Sequence, residues 1–170
     1  MRKAVILMGA WLLVLGLAAP AQARTQRRIN SAAAGLFRVH LALVEEPGTR
    51  RPEESLPLYF GRLLALQPGE KPAVRHARVA AYLALLDQAA ERTAGLRKIP
   101  TLQTTSASNR ALWQQISLNL QAIPAEAAKA RLAWAREEAG PATPSETART
   151  FTQTLWHIQN AYAALRDALP

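Results

Sequence analysis

The chain has 170 residues, 49% of them hydrophobic and 19% charged, with a formal net charge of +9 and no cysteine. The missing cysteine excludes disulfides, thiolate metal sites, covalent c-type haem and lipoprotein acylation, so any fold must be held by packing alone. A basic balance of this size is the usual footprint of nucleic-acid binding. Here, though, the cations are scattered apart from Arg27-Arg28, Arg50-Arg51 and Arg97-Lys98, which fits a solvated surface with affinity for anionic lipid, glycan or an acidic partner.

The first residues carry Arg2 and Lys3, an uninterrupted apolar run from Ala4 to Ala19, and then Pro20 before Ala21-Gln22-Ala23. A charged start, an apolar segment and an A-x-A end are the three parts of a secretory signal peptide. The expectation is a leader over residues 1–23, cleaved after Ala23, and a single all-α domain over 24–170. The apolar run is slightly short of the roughly 18 residues that a membrane anchor needs. No later stretch is long and apolar enough to span a bilayer. Export together with cysteine-free, Ala/Arg-rich usage points to the periplasm of a Gram-negative bacterium, or to secretion, and so away from nucleic acid.

Five helical segments follow from period-3.6 patterns, with no competing strand. The first, from about Gln26 to Glu46, carries the stripe Ile29, Ala33, Leu36, His40 and Leu43 and stops before Pro47-Gly48. A short second helix, "SLPLYFGRLLAL", ends at Gln67-Pro68-Gly69. The third, from about Pro72 to Ala94, presents His76, Val79, Leu83, Leu86 and Ala90, with Tyr82 and Leu85 widening the arc, and reads as a central helix. "GLRKIPTLQTTSAS" reads as the longest loop. The fourth helix begins near Ser108 and shows Leu112, Trp113, Ile116, Leu120 and Ile123 on one face. Pro124 then either kinks it or opens a new helix that reaches Glu138. The last helix has the clearest start, with Thr143 as N-cap, Pro144 at the first position and Glu146 completing a capping box.

These elements predict an all-α helical bundle of four to five helices. The alternative is a short irregular helical-repeat array, because "LLALQPGEKPAVRHARVAAYLAL" has the cadence of a tetratricopeptide helix junction. Its faint echo starts from Pro124, however, and Pro68 and Pro124 lie much further apart than the roughly 34 residues of that repeat.

Catalytic motifs are missing from the sequence. There is no G-x-S-x-G elbow, no H-E-x-x-H helix and no glycine-rich phosphate loop. Asp87 and Asp167 are the two aspartates, and the glutamates lie mainly at helix ends or in pairs such as Glu45-Glu46. Di-iron bundles need Glu-x-x-His on two helices, whereas the residues three before the histidines are Phe37, Ala73 and Thr154. His40 and His76 fall inside apolar stripes, where facing imidazoles could ligate haem or a metal. Core histidines bonded to a carbonyl are the commoner case, and the only methionines, Met1 and Met8, leave with the leader. The expectation is a protein with no enzymatic activity, no metal and no cofactor, and with His40 and His76 as weak ligand candidates only.

The stretch "TFTQTLWHIQNAYAALRDAL" from Thr150 to Leu169 puts Phe151, Leu155, Ile158, Tyr162, Leu165 and Leu169 on a narrow seam. Trp156 and His157 lie well off it, on opposite sides. Around Trp156 the outer face holds Arg149, Gln153, Asn160 and Asp167, a polar setting for a large ring. Burial of Trp156 beneath the second or fourth helix is the favoured expectation. The functional reading makes Trp156, with His157, Arg149, Gln153 and Asn160, an anchor for a protein partner. With no catalytic signal, the chain reads as an exported binding protein, an accessory or structural component of a bacterial envelope or secretion assembly. A periplasmic carrier of haem or a small apolar ligand is the alternative.

Overall fold

A computed structural model describes residues 23–24, 26–45, 50–51, 53–96, 107–139 and 145–167. Residues 1–22 of the expected leader, Pro47-Gly48, residues 97–106 of the expected loop, the expected cap at Thr143-Pro144 and Leu169 lie outside these. The described residues form five helices and no strand: α1 (residues 26–44), α2 (Leu56–Leu64), α3 (Pro72–Leu96), α4 (Ala107–Ala139) and α5 (Ser145–Asp167).

The four long helices close into an up-and-down ring. The stem of Arg92 on α3 lies against Gly35 of α1, where an added Cβ would come 3.2 Å from Arg92 Cδ. Arg131 of α4 pairs with Asp87 of α3, and Glu138 with His76, which fixes those two helices as antiparallel. Asn119 meets His157 while Arg136 meets Glu146, so α5 runs back along α4, its most extensive partner. Phe37 and His40 of α1 pack edge-on against Tyr162 of α5 with ring centroids 5.3 and 5.5 Å apart, completing the circuit. A repeat array, in which each unit touches only its neighbours, does not close in this way. The chain is an all-α bundle.

The core follows the predicted stripes. Ile29, Leu36 and Leu43 of α1, Val79, Leu83 and Leu86 of α3, Ile116, Leu120 and Ile123 of α4, and Phe151, Leu155 and Ile158 of α5 are all buried. Each contributes about 1.5–3 kcal/mol of burial. One helix needs correction. Ala73, Ala77, Ala80, Ala81 and Ala84 face solvent, so α3 is not enclosed on every side as a central helix would be, although Tyr82, Leu85 and Ala90 pack against the core. His76 is exposed too, because the first turn of α3 reaches the end of α4 rather than the core.

The short α2 is wedged at one end of the ring against α5 and α3. Tyr59 is fully buried and donates to the Leu43 carbonyl at 3.0 Å, and Phe60 packs 5.5 Å from Phe151. Glu54, just before the helix, takes a two-pronged bond from Arg62 at 3.0 and 2.7 Å. At the other end two arginines of α3 satisfy the exposed carbonyls: Arg75 donates to Leu64 O at 2.8 Å and Arg78 to Ala65 O at 2.9 Å. Arg78 also grips Glu70 at 3.1 and 2.7 Å, and Gly69 makes the turn with φ 78°, a value that favours glycine.

The fourth helix runs unbroken through Pro124 for 33 residues. The proline has no N–H, so the carbonyl of Leu120 lacks its usual donor, yet packing along both flanks carries the helix on. The start of α5 is held across the bundle: the Thr147 amide donates to Glu137 Oε1 of α4 at 2.9 Å, and Glu146 faces Arg136 at 3.5 Å. No helix among the described residues is long and apolar enough to cross a membrane.

Candidate functional site

On α5, Arg149, Gln153, Trp156 and Asn160 recur every three or four residues and so share a flank off the buried seam. Trp156 is 56% exposed, which overturns the expectation that a neighbouring helix covers it. The reason lies in where the neighbours sit: α2 meets α5 at Phe151, one and a half turns earlier, and α4 meets it on the side of His157.

His157 is half-buried, contrary to its off-seam position in the sequence. Asn119 Nδ2 donates to Gln115 O at 3.0 Å, which turns Oδ1 toward the ring of His157, 2.9 Å from Nδ1. The ring therefore donates from Nδ1 and keeps Nε2 as an acceptor. Burial holds its pKa below the ordinary 6.5, with Glu126 pulling the other way and Lys129 reinforcing the shift, so the imidazole is neutral at physiological pH. The same ring supports Trp156 edge-on, with centroids 4.9 Å apart.

Beside the tryptophan stripe a cleft of about 290 Å³ separates α5 from α4, bordered by Arg149 and Gln153 on one wall and Lys129, Leu132 and Arg136 on the other. Its acidic groups are engaged: Glu126 is largely buried and accepts from Lys129 Nζ at 2.6 Å. Leu132 and, about four turns away, Leu118 are 60% and 62% exposed and share that outer face of α4. Sequence reasoning missed both, although their departure from the Leu112–Ile123 stripe was a visible signal. The surface thus combines an aromatic anchor, exposed leucines and cations. It holds no paired acid and base directed at a common point.

Asn160 is half-buried, and its Nδ2 is enclosed without a partner among the described residues. It therefore belongs to the edge of the packing rather than to the open face. The two other histidines do not share a chamber. His40 lies against Tyr162 with Nδ1 buried and unpartnered, and burial lowers its pKa. His76 is exposed, bonded through Nδ1 to Glu138 at 2.6 Å and set beside Trp134, a buried ring that also takes the guanidinium of Arg75 at 4.7 Å. No group of three potential metal ligands occurs among the described residues. No family model, curated protein or solved structure matches the chain.

Proposed function

We propose that this protein is an exported accessory component of a bacterial envelope or secretion assembly that works by binding, with the α4–α5 face around Trp156 as its docking surface. The carrying observation is the 56% exposure of Trp156 beside the cleft between α4 and α5. A large exposed ring set edge-on to His157 offers contact area, and such aromatics are the usual hot spots of interfaces. Arg149, which forms no ion pair with a described carboxylate, suits a partner that brings a carboxylate beside its apolar patch.

A photo-crosslinking residue at Gln153, introduced in cells, tests the reading. A discrete envelope-protein adduct is expected, lost in Trp156→Ala without loss of the folded protein; an adduct indifferent to Trp156, or none, would overturn it. Export is tested separately, by whether protein from the periplasm begins at Arg24.

A second reading, a carrier of haem or a small apolar molecule, draws support from His40 alone, whose Nδ1 is buried and unpartnered. Haem raising the melting temperature saturably, with the rise lost in His40→Ala, would favour it, since a ligand of the native state stabilises by mass action.

A further inference from the structure

We infer that the trough between α1 and α3 is a second docking site, built for an acidic amphipathic helix of a partner protein. It shares no residue with the face around Trp156, so either proposal can fail without the other.

Two clefts of about 580 and 290 Å³ follow one another between α1 and α3 and meet at Arg92. Arg27 and Arg28 border the first and Arg38 the second, giving the trough four guanidinium groups. Glu91 is the single carboxylate lining it among the described residues, and none of the four arginines forms an ion pair with a described carboxylate. Several cations elsewhere are neutralised: Arg62 has Glu54, Arg78 has Glu70, Arg131 has Asp87 and Lys129 has Glu126. The trough gathers four arginines without a described ionic partner along one groove.

The floor is apolar, with Ala32 and Leu96 under the first part and Val39 under the second, all buried. Gly35 completes it. Without a side chain there, the stem of Arg92 lies close against α1 at Gly35, a position between Arg28 and Arg38 in the chain.

The spread of the charges selects the ligand. Eleven residues of helix separate Arg27 from Arg38, about 16 Å along the axis. A single phosphate is met by groups converging on one point; here the guanidinium groups form a row. A row over an apolar floor matches a helix with carboxylates every three or four residues on the flanks of an apolar stripe. Arginine rather than lysine fits this, because its planar fork takes a carboxylate by two bonds.

The test uses a fluorescein-labelled helical peptide of leucine, alanine and glutamate, a version with every glutamate changed to glutamine, and phosphatidylglycerol vesicles. Fluorescence anisotropy should show saturable binding of the acidic peptide, weakened by salt, and at least about tenfold weaker binding of the glutamine version. Arg28→Glu with Arg92→Glu should abolish binding while circular dichroism stays native. Ser31→Trp, which keeps every charge but fills the trough, should weaken it, and Trp156→Ala should leave it unchanged. Arg38→Glu gives the same reading should the double variant fold poorly. Equal binding of the two peptides, or acidic-peptide binding indifferent to Arg38→Glu, would overturn the inference. So would arginine-dependent binding of the vesicles with none of the peptide, which would mark a lipid-facing surface instead.

Discussion

Truncating two tryptophans should separate a surface ring from a core ring. Trp156 is 56% exposed and Trp134 only 6%. A tryptophan has up to about 250 Å² to bury, so less than half, about 110 Å², is hidden at Trp156. At about 25 cal/mol per Å² that area sets a ceiling of about 2.8 kcal/mol. The alanine left behind retains part of the contact, and the unfolded chain hides some of the area already, so a loss of about 1 to 1.5 kcal/mol is expected for Trp156→Ala. Trp134→Ala should cost about 3–5 kcal/mol, because it empties a closed site and removes the ring beneath Arg75. Leu155→Ala, on the seam and fully buried, should cost about 2–5 kcal/mol. Urea unfolding of the three variants, followed by far-UV circular dichroism, gives the comparison. Equal losses for Trp156→Ala and Trp134→Ala would refute the claim that the outer flank of α5 is open.

Three further outcomes follow. Burial lowers the pKa of both His40 and His157 from 6.5, so the unfolded chain takes up protons first; stability is full above pH 6.5 and falls on acidification toward the folded values. Urea titrations across that range should show the decline, and His157→Gln should flatten part of it. Glu54 and Glu70 are held below the ordinary value of 4.5 by the side-chain bonds of Arg62 and Arg78 respectively. Their stabilisation is present above that value and lost as pH falls below it, so Glu54→Gln should lose stability at neutral pH and show a shallower acid transition by circular dichroism. Gly69→Ala puts a Cβ at φ 78° and should lower stability by about 1–2 kcal/mol in the same urea assay.

The helices were legible because leucine and isoleucine repeat at helical spacing from Ile29 through Leu165, and burial follows that repeat. Periodicity says which face turns inward, not how many neighbours wait there. On α3 it suggested a central helix, yet Ala73, Ala77, Ala80, Ala81 and Ala84 meet water. On α5 the apolar seam gave no sign that Thr147, Thr150 and Thr154 are buried as well. Thr150 and Thr154 hide their hydroxyls by bonding back to carbonyls of their own helix at 2.8 Å, a device that leaves no mark on hydropathy. The flank of Trp156 was readable as off-seam, but its exposure depended on where α2 ends. The role of Arg27-Arg28 was hidden as well, since Arg92, which completes the trough, lies far along the chain.

The closure of α1 on α5 sets a temporal order on folding. Contacts between α3 and α4 and between α4 and α5 join helices consecutive in the chain, whereas Phe37 and His40 must find Tyr162 across most of its length. Loop-closure entropy delays such distant pairings until local hairpins exist to receive them. The α1–α5 seam is then the last to form on the way in. A weakened Tyr162 speeds unfolding while leaving the folding rate nearly untouched, and a weakened Leu120, inside the locally assembled hairpins, slows folding itself.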